Sequence, residues 1–468
     1  MATLSDNKSK LSQVQALVDI LKVDFRVHDL PPEKRVAALE ELKVFGRDAN
    51  QSDPIFTREG IEMLCKHAFE GTDNKSALEA MRCLANALLI APETRHIFVE
   101  LGYAEKAVNR YQRYRQNDSS HEEFLAGRIL FLVTYATADL LKWLEEYKLA
   151  KYLNDAIMRH GKIYSKVNSN EQPSAMQDMA FTETTKLLFN ITHFAPEKVD
   201  LFSRSIPSLF KILCRRTLPS LPLQSSIAHL VNALLNLDLS SQPGCVFPSF
   251  DPTCNVARLI RVLDLSVGSP NDNHDDQRNR LFDEAGVPLI TLLRKVFEIS
   301  SGQAKECVRK RLLPSDEQRK DPLGKGGSLA SRLLQLSTSA VALNTRQHLA
   351  SLLFEVSNSN PEEFVRNVGY GYASGLLLSA GVQLPQSALE DLSTSSDTFG
   401  RSFNPVTGQA LDREPELKDP LSEMSEEEKE REAERLFVLF ERIKRTGVVD
   451  IQNPVEKALH EGRFEELD

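Results

Sequence analysis

A recurring helical pattern constrains this chain more than any other feature. Residues 77–90 (ALEAMRCLANALLI), 183–192 (ETTKLLFNIT) and 226–237 (SIAHLVNALLNL) place Leu, Val, Ile or Ala at spacings of three and four. Each run is followed by another apolar helix: HIFVELGYAEKAVNRY, KVDLFSRSIPSLFKIL and VARLIRVLDL. Further helices are expected at 286–298, 329–337 and 347–357. One helix pair cannot bury its own apolar face, so such units must stack into a superhelix with a groove along one side. The fold class that follows is all-α, an armadillo/HEAT-like superhelical solenoid over residues 1–385. At about 40–47 residues per repeat, that span has room for roughly nine.

Two polar stretches interrupt the array. Residues 268–278 (GSPNDNHDDQR) read as a mobile loop, and 314–328 (PSDEQRKDPLGKGGS) as a flexible connection. GKGGS lacks the spacing of a phosphate-cradling loop, and GYGYASG at 369–375 is not a dinucleotide fingerprint. Gly369 is instead a candidate helix C-cap. Residues 386–424 form a Ser/Thr-rich and then acidic linker, with a turn at NPVTG. Ser425 and Glu428 make a capping box that opens an amphipathic helix over 425–446. It lines up Ala433 with Leu436, Phe437, Phe440 and Ile443, and residues 447–468 follow as a tail. Such a helix is marginal alone, so its stripe needs a partner, either its own scaffold or another protein.

Composition narrows the function. The net charge of −9 argues against a nucleic-acid footprint. KAVNRYQRYR therefore reads as a solvated helix face. Six scattered cysteines without a CxxC pair fit a reduced, cytoplasmic setting. No signal core or membrane-length apolar run appears, so no integral membrane segment is expected. The ten histidines show no metal-ligand spacing, and HExxH, GxSxG and kinase motifs are absent. No catalytic residue, metal or cofactor is expected.

Binding is the alternative to chemistry. Asn86, Asn190 and Asn232 lie near the middle of their helices, where Asn is usually exposed or bonded. In an armadillo array such residues bond the backbone of a bound chain, or they tie neighbouring helices together. Arg82 and Arg128 are further groove candidates. Arg128 either pairs locally or meets a partner's carboxylate.

Several blocks together resemble the synembryn ("resistance to inhibitors of cholinesterase") family. They are EAMRCLANALLIAPETR, GRILFLVTY, KLLFNIT, HLVNALLNL, LLPSDEQRKDPLGKGG, EEFVRNVGYGYASGLL, NPVTG and MSEEEKEREAERLFVLFERI. The shorter chain and compact tail suggest a fungal-type member. The resemblance implies a guanine-nucleotide exchange factor and folding chaperone for the α subunits of heterotrimeric G proteins (Gα). Such a protein binds GDP-bound Gα, stabilises its nucleotide-free state and lets go when GTP binds. The groove takes the C-terminal helix of Gα, and the tail helix reaches its nucleotide-domain surface. The resemblance also implies a monomer in the cytoplasm, with recruitment to the plasma membrane left open. Phosphorylation in the family falls before NPVTG, where Ser393, Thr394, Ser395 and Ser396 stand here. The rival reading is an armadillo scaffold or transport adaptor for extended peptides. That reading wants a ladder of tryptophans, yet Trp143 is the single one.

Overall fold

A computed structural model describes residues 9–27, 29–113, 120–137, 139–166, 173–268, 275–381 and 409. The expected phosphorylation segment, the NPVTG turn and the tail helix with Leu436, Phe437, Phe440 and Ile443 lie outside these residues. In chain order the α-helices begin with α1 (Lys10–Val27), α2 (Pro32–Phe45), α3 (Asp53–Phe56), α4 (Arg58–Phe69), α5 (Asn74–Ile90), α6 (Thr94–Glu100) and α7 (Ala104–Tyr111). Next come α8 (Ser120–Val133), α9 (Leu140–Glu145), α10 (Leu149–Lys166), α11 (Ala175–Phe194), α12 (Ile206–Arg215), α13 (Ser226–Asn236), α14 (Pro243–Val246) and α15 (Cys254–Ser266). The last are α16 (Asp275–Ala285), α17 (Val287–Glu298), α18 (Gly302–Leu312), α19 (Leu329–Thr338), α20 (Thr345–Val356), α21 (Pro361–Val368) and α22 (Tyr370–Ser379). No strand occurs among the described residues.

Local chemistry sets many of the boundaries. The Asp73 carboxylate accepts from the backbone N–H of Ser76 at 2.8 Å and starts α5. Ser174 and Gln177 form a reciprocal capping box at α11. Gly369 ends α21 at φ +80°, its N–H donating to Val365 O at 2.8 Å, as a C-cap glycine should.

These helices stack in two layers. In one, α2, α5, α8, α11, α13, α17 and α20 pack each against the next. In the other, α1, α4, α7, α10, α12, α15 and α19 back the first, one behind each row helix. Leu39, Leu84, Ile129, Leu188, Leu230, Leu289 and Leu352 are fully buried along the row, so one continuous core runs through the described residues. Burying each such side chain contributes about 1.5–3 kcal/mol. The molecule is therefore an all-α solenoid, stabilised unit by unit through neighbour contacts.

Four details differ from the sequence reading. The described row has seven helices, starting at Pro32, Asn74, Ser120, Ala175, Ser226, Val287 and Thr345, so most units exceed 47 residues. The run 96–111 is two helices, α6 and α7, broken at Gly102, which turns at φ +74°. Residues 198–213 divide into a 3₁₀ segment (Pro196–Ser205) and α12. The connection at 314–328 is pinned: Tyr372 OH donates to Leu323 O at 3.2 Å and Arg319 Nη2 to Asn367 O at 2.9 Å. Gly324 is required there, because its φ is +87° and a Cβ would lie 1.9 Å from the Tyr372 hydroxyl.

Candidate functional site: the open face of the helix row

Each row helix leaves one stripe uncovered by the second layer. On α5 the stripe holds Arg82, Asn86 and Leu89. On α8 and the turn after it, Phe124, Arg128, Phe131 and Tyr135 recur at spacings of four, three and four. On α11 the stripe is Lys186, Phe189 and His193, and on α13 it includes His229 and Asn232. Contacts between neighbouring stripes merge them into one face.

Charge on this face is paired, but unevenly. Glu79 accepts from Lys43 of α2 at 2.7 Å and also from Arg82. Glu183, 4% exposed, accepts from Arg128 of α8 at 3.4 Å and Lys186 at 2.9 Å, both on Oε1. Its Oε2 is buried without a hydrogen-bond partner among the described residues. Each of these glutamates thus answers two cations, and each cluster keeps surplus positive charge. Beside Lys186, His229 is pushed down to about 4, by burial first and then by the Lys186 charge, so its imidazole is neutral at physiological pH. Farther along, Glu355 of α20 holds Arg294 of α17 with two 3.0 Å bonds from Nε.

Next to these charges runs an aromatic strip. Lys186 Nζ lies 5.9 Å from the centroid of Phe131, which meets Tyr135 edge-on at 5.7 Å. Tyr135 meets Phe194 edge-on at 5.8 Å. Phe194 contacts His193 at 5.2 Å, and His193 stacks on Phe189 at 6.0 Å. The Arg95 guanidinium covers Tyr135 at 5.6 Å. The strip is not core: Tyr135 is 53% exposed and Phe194 46%. A contiguous aromatic patch with a cationic rim is what a protein-binding surface needs.

The predicted groove residues fall in two groups. Arg82, Asn86, Arg128 and Asn232 all lie on the open face. Asn86 and Asn232 make no hydrogen bond among the described residues, and Arg82 and Arg128 are held by the paired glutamates. Asn190 departs from the expectation of a groove contact. It is 3% exposed and its Nδ2 donates to Thr134 Oγ1 at 2.9 Å, tying α11 to the end of α8. Reaching a bound chain would require that bond to break. In the described part of KAVNRYQRYR, Lys106, Asn109 and Arg113 are exposed as read, but two of its charged or aromatic residues turn inward. Tyr111 is fully buried and Arg110 nearly so, with Arg110 Nη2 3.1 Å from Glu122 Oε1.

Comparison with known proteins decides the lineage. The sequence profile described as "Guanine nucleotide exchange factor synembryn" matches residues 38–463. The chain belongs to the synembryn family. Among relatives, the protein named Chaperone Ric-8A of Xenopus tropicalis is 27% identical over 489 residues, covering 96% of this chain and 87% of its own length. Its namesake in Xenopus laevis is 26% identical, covering 92% and 85%. This synembryn-family chain is thus an all-α solenoid from a lineage of exchange factors and chaperones. No helix among its described residues is long and apolar enough to cross a membrane.

Asn86 and Asn190 now give opposite expectations. Asn190→Ala should cost about 1–2 kcal/mol of stability through the lost inter-helix bond, with little change in ligand affinity. Asn86→Ala should leave stability unchanged and, on the expectation that the open face takes the Gα C-terminus, weaken binding of a peptide copying it. Urea denaturation and peptide titration of both variants check this. Lost peptide affinity in Asn190→Ala at unchanged stability would return Asn190 to the binding surface.

Proposed function

We propose that this chain is a guanine-nucleotide exchange factor and folding chaperone for Gα, and that the open face receives the C-terminal helix of Gα. The exposed aromatic strip from Phe131 to Phe194 carries the reading: an amphipathic helix could lay its apolar face there. Residual positive charge around Glu79 and Glu183 suits the free carboxylate at the end of that helix.

The action needs no covalent step and no side chain on a phosphate. A scaffold that prefers nucleotide-free Gα weakens GDP binding, and nucleotide weakens the scaffold by the same factor. GTP then ends the complex by mass action. The chain works in this reading as a monomer in the cytoplasm and meets membranes only through its client.

The tail helix is the second grip. Once the open face is engaged, its attachment becomes intramolecular and gains effective concentration. Phe437→Ala with Phe440→Ala should weaken Gα binding and exchange about tenfold or more, as loss of two aromatic anchors does, with unchanged circular dichroism. Normal exchange in that variant would remove the tail from the mechanism.

The direct test is co-elution with purified GDP-bound Gα, with and without a non-hydrolysable GTP analogue. A complex that forms, loses GDP and dissolves with the analogue is the expected result. No complex, or one indifferent to nucleotide, would overturn the proposal.

A further inference from the structure

α1 opens the described solenoid, and it is apolar on two opposite sides. Val14, Val18 and Leu21 are buried where α1 packs on α2, α3 and α4. On the far side Ala16, Ile20, Val23 and Val27 follow at spacings of four, three and four, which brings them into one stripe. All four are exposed, Ile20 by 48%, Val23 by 58% and Val27 by 55%. The end of a solenoid normally turns a polar face to water. A stripe with this spacing is instead the seam along which two helices pair.

The charges beside the stripe say which helix fits. Asp19 and Arg26 lie seven residues apart on the same edge of it, and both are exposed. Among the described residues Arg26 makes neither an ion pair nor a hydrogen bond, and Asp19 accepts from Gln15 alone, at 2.9 Å. A second α1 laid antiparallel across a two-fold axis sets Ile20 opposite Val23 and Ala16 opposite Val27, each layer occurring twice. The same register brings Asp19 to Arg26 of the other copy, also twice. The stripe is therefore complementary to itself in both shape of sequence and charge. Its other edge, Leu17 and Asp24, is already covered from within the chain, Asp24 by Arg35 of α2.

We propose that the free chain pairs with a second copy of itself through α1, with Ile20 and Val23 at the centre and two Asp19–Arg26 ion pairs along one edge. The stripe is about 17 Å long, so the contact falls at the small end for a protein interface. The pair is accordingly weak and dependent on concentration. None of the open-face residues lies on α1, so each copy keeps its own one-to-one grip on a client. The inference does not depend on what that client is.

Sedimentation equilibrium of the full-length chain over a concentration series tests it. The average mass should climb from one chain toward two. Ile20→Asp with Val23→Asp should hold it at one chain throughout, with unchanged circular dichroism because both side chains are exposed. Asp19→Arg should weaken association at least about tenfold by setting like charges opposite each other twice. Adding Arg26→Asp to that variant should restore it. A wild type that stays at one chain throughout would overturn the proposal. So would a dimer that survives Ile20→Asp with Val23→Asp, or a charge reversal that the second reversal does not rescue.

Discussion

Replacing Tyr135 and Phe194 together by alanine is expected to weaken Gα binding about a hundredfold while leaving the solenoid intact. Both rings are about half exposed in the free chain, so truncating them opens no cavity in the core. Surface changes of that kind usually move stability by about 0.5 kcal/mol or less. Aromatic anchors at the centre of an interface cost about 2 kcal/mol or more each when truncated. These two rings touch at 5.8 Å, so their effects will not simply add. Even a combined loss of about 2.7 kcal/mol is a hundredfold in affinity. Titration of Gα with the variant measures it, and circular dichroism checks the fold. Phe250→Ala is the control: Phe250 is 85% exposed but lies outside the strip, in the loop before α15. Equal loss in both variants would mean general stickiness, and normal affinity in the double variant would remove the open face from the mechanism.

The same face shows what was legible in the sequence. Apolar residues at spacings of three and four located α5, α13 and α17 to within a few residues, because one side of each helix packs against the second layer. The interruption between α6 and α7 was missed because periodicity continues across Gly102, and only its positive φ reveals the turn. The aromatic strip was missed for a different reason. On α8 and α11 the open stripe also carries large apolar rings, Phe131 and Tyr135 with Phe189, among Arg128, Lys186 and His193. Periodicity cannot say which of a helix's apolar positions the neighbouring helix will cover. Asn86 and Asn190 look alike in sequence for a related reason. They differ in what stands opposite, and Thr134 is brought to Asn190 across 56 residues of chain. The buried Glu123 had no sequence signature either, since its partners come from two other helices.

That glutamate carries the largest expected stability effect. Glu123 on α8 is fully buried. His160 Nε2 of α10 lies 2.9 Å from its Oε1, and Arg159 contacts its Oε2. Thr184 of α11 donates to it at 3.2 Å and is itself 2.8 Å from the Tyr111 hydroxyl of α7. One carboxylate therefore ties α8, α10 and α11 directly, and α7 joins the network through Thr184. Glu123→Ala should cost about 3–5 kcal/mol, because it removes the anion and leaves the buried His160 and the half-buried Arg159 without it. Burial alone would raise the Glu123 carboxyl, but the charges and hydrogen bonds of His160, Arg159 and Thr184 outweigh it and hold the carboxyl below the ordinary 4.5. A depressed folded value means that this contribution is complete above pH 4.5 and is lost as pH falls through the lower folded value. The wild type should accordingly show an acid-side loss of stability that Glu123→Ala lacks. Urea denaturation of both proteins from pH 7 down to about pH 3 measures the difference. A variant as stable as the wild type at pH 7, or one with the same acid slope, would show that the four helices are tied elsewhere.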